Sequence, residues 1–199
     1  MSMLSNLEEI APEEELVRRE FRGGMIVNQS LSKLDVDQSS LNGSRLIGCD
    51  CSHSHLRNVV FMGCDLSNTK FTNSALTSVE FKDCKLLGTS FAECSFKNVT
   101  FNDCLMELSQ FSHSKSKKLR LNKCQLSQAY FDGARLPQSV ITDCVLNKTD
   151  FSGAVILGSD LRGSDLEGMR IGTNQLAKVV VSPAQAIYLS RLMGLEIEI

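Results

Sequence analysis

Several groupings in this 199-residue chain have residue types that could carry chemistry. Cys49, Cys51, His53 and His55 alternate within CDCSHSH (49–55), and thiolates with imidazoles are the donors that hold zinc. Cys64, Cys84, Cys104, Cys124 and Cys144 stand twenty apart and would pair or ligate if their sulfurs met. Gly153, Gly158, Gly163 and Gly168 have the GxxxxG spacing of a phosphate-cradling loop, and Asp160 with Asp165 could serve as an acid–base pair. KSKKLR (115–120) concentrates cations suited to an anionic ligand. Which of these side chains converge depends on the elements that position them.

Those elements repeat every five residues. Starting at Phe21, an apolar residue recurs through Ile26, Leu31, Val36 and Leu41, then through Phe61, Phe71, Phe81, Phe91, Phe101 and Phe111, and on to Val181. Ser116 is the plainly polar exception. Two residues before each centre the side chain is small (Ser54, Cys64, Thr69, Ala129), and two residues after it turn formers abound (Asn58, Gly63, Asp83, Gly163). A period of five fits neither a helix nor a continuous strand, so the chain must take a short extended step, turn, and repeat. The cysteine ladder, the series Phe71, Phe91, Phe111, Phe131, Phe151 and the series Val59, Val79, Val99 all advance by twenty, so four steps close one coil. The expectation is an all-β solenoid of roughly eight coils, about 40 Å long at strand spacing, with two inward side chains per step filling the interior.

Segments such as SDLRGSDLEG (159–168) resemble the pentapeptide-repeat family signature, and the resemblance covers most of the chain. It implies a right-handed quadrilateral β-helix.

In this register most of the chemistry dissolves. Cys49 and Cys51 point inward while His53 lies in a turn and His55 faces out, so no metal site is expected. The cysteine ladder becomes buried filler, with sulfurs about 4.8 Å apart, too far for a disulfide without distortion. Each glycine occupies a turn, no Lys-Ser/Thr follows them, and the aspartates face solvent, where a carboxylate has no reason to acquire the shifted pKa of a catalyst. No nucleophile has a base beside it, so neither catalytic residues nor a cofactor are expected, and the chain reads as a binding protein.

The ends should be caps, because an open coil exposes unpaired backbone. Residues 1–20 carry six acids against Arg18 and Arg19 and form an N-terminal cap or partly ordered acidic segment. Within it PEEELVRR (12–19) begins as a short helix would, although Leu16 also fits the register and could open the first coil. The solenoid is then assigned to 21–181, and 182–199 to a C-terminal helix and tail. There Ser182 and Pro183 start a helix that Gly194 stops. Ala186, Leu189 and Met193 form one stripe flanked by Ile187 and Leu192, for a cap alone or a cap that also pairs two copies. QAIYLSRLMGLEI (185–197) resembles the tail of the quinolone-resistance (Qnr-type) members, and that resemblance implies helix pairing.

One side of the rod stands out. Its outward positions include Arg57, Lys97, Lys115, Lys117 and Arg135, with Lys118 in the adjoining turn, and no acid occurs across 54–58, 74–78, 94–98, 114–118 and 134–138. It is either a solvated basic side or a docking face for an acidic protein partner. The Qnr resemblance implies a second reading, a DNA gyrase or type II topoisomerase partner bound by imitating duplex DNA. Outside 1–20, however, 17 acids face 19 bases, which is a poor imitation of a polyanion. Direct nucleic-acid binding is a third reading, weakened by the lack of aromatics among the cations. The N-terminus lacks a basic start and apolar core, and no apolar run spans a membrane, so the cytoplasm is expected.

Overall fold

The structure is a computed structural model that describes residues 3–192 and 194–196. Strands of three residues recur at the predicted centres and stack in parallel, each on the strand twenty residues away. On one side the rungs run through Glu15, Asp35, His55, Ala75, Ser95, Lys115, Arg135 and Val155, so seven steps separate the first from the last. The other three sides stack in the same way.

The corners explain the turn formers. At every corner from Glu13 to Gly168 the residue two past a centre takes a positive φ, as in Asn58 (53°), Asp83 (53°) and Gly163 (77°). Asn, Asp and Gly adopt this region at least cost, whereas Leu108 (60°) and Lys118 (64°) give up on the order of 1 kcal/mol each to stay in register.

The interior is solid at the predicted columns. Phe71, Phe91, Phe111, Phe131 and Phe151 stack in order with ring centroids 5.4, 5.1, 4.7 and 4.7 Å apart. Phe61, Phe81 and Phe101 form a second stack at 4.7 and 4.6 Å, meeting the first edge-on. Each buried ring contributes about 1.5–3 kcal/mol from area alone.

The small inward position has a second task. Ser74 Oγ accepts from the Ser54 N–H (2.9 Å) and donates to the Cys51 carbonyl (3.3 Å). Ser159 repeats this toward Ser139 (3.1 Å) and Leu136 (3.0 Å), and Ser164 toward Cys144 (3.0 Å) and Ile141 (2.9 Å). In the cysteine ladder the thiols of Cys64, Cys84, Cys104, Cys124 and Cys144 donate to the carbonyls of Leu41, Phe61, Phe81, Phe101 and Leu121 at 3.4–3.5 Å. The inward carbonyl of one coil is thus satisfied by the small residue of the next, as burial requires.

Both ends depart from the simplest expectation. Residues 12–19 form no helix: Glu15–Val17 pairs with Asp35–Asp37 and opens the solenoid before Phe21, with Leu16 buried in the column. The short 3-10 turn Leu7–Glu9 lies over this coil, and a Cβ on Gly24 would come within 2.9 Å of Leu7 Cβ. At the other end the register breaks before Val181. Thr173–Leu176 is a 3-10 turn, and Ile171 and Leu176 are only partly buried.

Helix α1 (Pro183–Leu192) begins with a reciprocal cap, in which the Ser182 N–H donates to Gln185 Oε1 (2.8 Å) and the Gln185 N–H to Ser182 Oγ (3.4 Å). Gln185 and Leu189 are its buried residues, so the face against the coil is rotated from the Ala186–Leu189 stripe. Gln185 Nε2 donates to the last-coil carbonyls of Leu161 and Ser164, both at 2.7 Å, and Gln175 Nε2 does the same for Phe151 and Ala154. Ala186 and Leu192 are exposed, Ile187 is half-buried, and Met193 lies outside the described residues.

Candidate functional site

The chemistry-bearing residues sit where their register puts them. Cys49 and Cys51 are buried, and His53 and His55 are exposed at a corner and on a side. All eight cysteines are free and buried. Desolvation pushes the Cys94 thiol up to about 12. Hydrogen bonding to the next cysteine, ahead of burial, pushes Cys84 and Cys104 up to about 12 as well. A nucleophilic thiol needs the opposite shift together with access, and Cys144, which its hydrogen bond with Cys124 holds below the ordinary thiol value, is buried. Asp160 is held below the usual carboxylate range by its hydrogen bonds to Arg162, one of them 2.7 Å, which suits a structural pair rather than a proton donor.

The basic side is the feature with an unmet interaction. Lys97, Lys115, Lys117, Lys118 and Arg135 are all exposed on adjacent rungs: Lys97 pairs in register with Lys117, and Lys115 with Arg135. Among the described residues none of these five has a carboxylate within ion-pair distance. Arg57 differs. Its guanidinium lies 2.7 Å from Asp35 Oδ1 on the rung below, a rung outside the acid-free windows, so its charge is largely spoken for.

The register of one side alone leaves Arg120 out of the site. Ser95–Asn102 and Lys115–Asn122 are eight-residue strands that pair continuously round the corner, carrying the cationic run onto the next side. Arg120 is exposed there and has no ion pair among the described residues. The signal was available in KSKKLR, but the corner hides which cations are neighbours. Lys123, further on, stands in a column with Asp103 and Asp143 and adds little net charge. On the opposite edge a shallow depression is lined by Glu93, Ser95, His113, Lys115, Gly133 and Arg135. Ser116, at the centre of the patch, is partly exposed, with its Oγ 3.3 Å from Ser139 Oγ.

Electrostatically this is a patch of six exposed cations across neighbouring rungs about 4.8 Å apart. Among the described residues no carboxylate is within ion-pair distance of them, with Glu93 the acid at the edge of their depression, so they attract an anionic surface without first breaking existing pairs. Among the described residues no helix is long and apolar enough to cross a membrane.

The family model described as the pentapeptide repeat region matches residues 34–111, 54–131 and 74–151, frames offset by one coil that together span more than half of the chain. No curated protein matches it. A solved structure of trypsin-treated QnrB1, a plasmid-mediated fluoroquinolone resistance protein, is 20% identical over 100% of both chains, with a TM-score of 0.51. A second trypsin-treated QnrB1 structure is 21% identical over 89% of this chain and 100% of that one, at 0.47. HetL, a pentapeptide repeat protein involved in heterocyst differentiation regulation from the cyanobacterium Nostoc sp., is 18% identical over 88% and 94%, at 0.31. At 20% identity the likeness to the first of these structures is one of fold.

Proposed function

Because this chain belongs to the pentapeptide-repeat family, we propose that it is a non-catalytic protein-interaction module whose basic side docks an acidic protein partner. The observation that carries the reading is the cluster Lys97, Lys115, Lys117, Lys118, Arg120 and Arg135, held on regular rungs with no compensating carboxylate within ion-pair distance among the described residues. The rigid backbone supports it further, since a side chain on a stacked rung gives up little backbone freedom on binding. Arg57 stands apart from this cluster because Asp35 already holds it. The eight free, buried thiols suit a reducing compartment such as the cytoplasm.

A topoisomerase partner recognised through DNA imitation asks for a continuous acidic surface, and the cationic side argues against it. A nucleic acid would want stacking aromatics beside these cations, and the run 115–120 contains none.

The test is capture of partners from the native cell. Changing Lys115, Lys117 and Lys118 to Glu should abolish capture, whereas the same reversal at Lys33, Lys85 and Lys148 should leave it within about twofold. Capture that survives the first set, with the fold intact by circular dichroism, would remove the docking role.

A further inference from the structure

The basic side has an acidic end. On the same face the first two rungs present Glu15, Asp35 and Asp37, below the rungs that present Lys115, Lys117 and Arg135. Glu15 and Arg135 occupy the same column and are equally far in register from Ala75, as are Asp35 and Lys115. Asp37 and Lys117 are likewise equidistant from Thr77. The charges are therefore arranged as opposites about the rung Ala75–Thr77.

From this we propose that the face is self-complementary: a second copy lies antiparallel on it, related by a twofold axis along Ala75–Thr77. Each copy's Lys115, Lys117 and Arg135 then meet the partner's Asp35, the partner's Asp37 and the partner's Glu15. Two equivalent sets form, as an isologous contact requires.

Arg57 takes up part of the Asp35 charge within the rod, and distance explains why Lys115 finds its acid on a second copy. Within one rod Asp35 and Lys115 are four rungs apart, about 19 Å. That exceeds the screening length of about 8 Å at physiological salt, so the two ends act as separate charges until another rod brings them together. The rung on the axis permits close approach because Ala75, Thr77 and Ser78 are short and uncharged. A like-charged meeting remains in each set, between Arg57 and the partner's Lys97; Asp35 is shared between Arg57 at 2.7 Å and the partner's Lys115, so it offsets only part of that repulsion. The face from Glu15 to Arg135 is six steps, about 29 Å, long and one strand wide. It therefore lies at the small end of specific interfaces, and the association is weak and salt-sensitive.

This goes beyond the docking reading, and the two can fail separately. Sedimentation velocity would compare the parent with Lys115→Asp plus Lys117→Asp, with Asp35→Lys plus Asp37→Lys, and with an equal mixture of the two variants. In about 0.01 M salt the parent's mass should rise with concentration, and in about 1 M salt, where screening shrinks to about 3 Å, the rise should vanish. Each variant alone should stay at its lowest mass, since positions 35, 37, 115 and 117 then all carry one sign, while the mixture regains the heavier species because the contacts among those four positions are again opposite. Pairing through α1 would shift all samples equally and leave the contrast intact. A parent whose mass ignores concentration at low salt overturns the inference, and that result needs no variant to fold. A mixture no heavier than its components also overturns it. Partner capture lost in the Lys115, Lys117 variant without any self-association would keep the docking reading and discard this one.

Discussion

The small residue two before each centre could be taken from sequence for a spacer, and the structure makes it a hydrogen-bonding group as well. Ser164 and the thiols of Cys124 and Cys144 lie in one column and satisfy equivalent carbonyls. Serine should therefore replace these thiols at little cost. The thiols also couple stability to pH. In the folded chain Cys84, Cys94 and Cys104 are pushed up to about 12, against about 9 for an ordinary thiol. Between those values the unfolded chain releases protons that the folded chain keeps, so stability is full below about pH 9 and falls as pH rises toward 12. The loss is up to about 1.4 kcal/mol per pH unit for each thiol. Urea unfolding at pH 8 and 10.5 should show the decline, and Cys84→Ser with Cys104→Ser should shallow it; an unchanged slope would mean these thiols ionise freely. The inward direction of the cysteines was legible from the period of five. Their hydrogen bonds were not, because the acceptor is 23 residues away in sequence and only the closed coil brings it near.

At the scale of elements, α1 was legible in Ser182, Pro183 and Gly194, while the face it presents was not. Apolar spacing pointed to Ala186 and Leu189, but the end of a β-coil offers unpaired carbonyls, and the residue that answers them is Gln185. A polar donor wins the contact position because a bare buried acceptor costs about 1–3 kcal/mol. Gln185→Leu should accordingly lower stability by about 1–2 kcal/mol and speed hydrogen exchange at Leu161 and Ser164 before the middle coils; protection unchanged at those amides would count against the cap. At the other end, PEEELVRR shows local preference losing to pairing. Glu15–Val17 is drawn into a strand because Asp35–Asp37 stands ready to pair and Leu16 fills its column.

At the scale of the whole molecule, the stacked rings fill the interior from Phe61 to Phe151 and the N-terminal coils keep an apolar void of only about 30 Å³, so the described residues offer a partner sides and ends. The C-terminal end leaves Leu192 54% and Leu195 57% exposed, apolar area that a second rod could cover. We propose that α1 pairs two copies there in addition to capping. Light scattering should then find a dimer for the parent and a monomer for Leu192→Asp; equal monomer masses for both would end the idea. The candidate docking side was legible in the spacing of Lys97, Lys115, Lys117 and Arg135, whereas the pairing of Arg57 and the contribution of Arg120 emerged only from stacked rungs and a continuous corner.

The period of five and its multiple of twenty sufficed for the fold, because a repeat that returns the chain over itself leaves each side chain one choice, in or out. Which charges neutralise each other, which residues close the ends and where the first coil opens are matters of contact between segments about twenty residues apart. Those contacts compete with local preference, and the winner depends on which unpaired group or empty column the neighbouring coil presents.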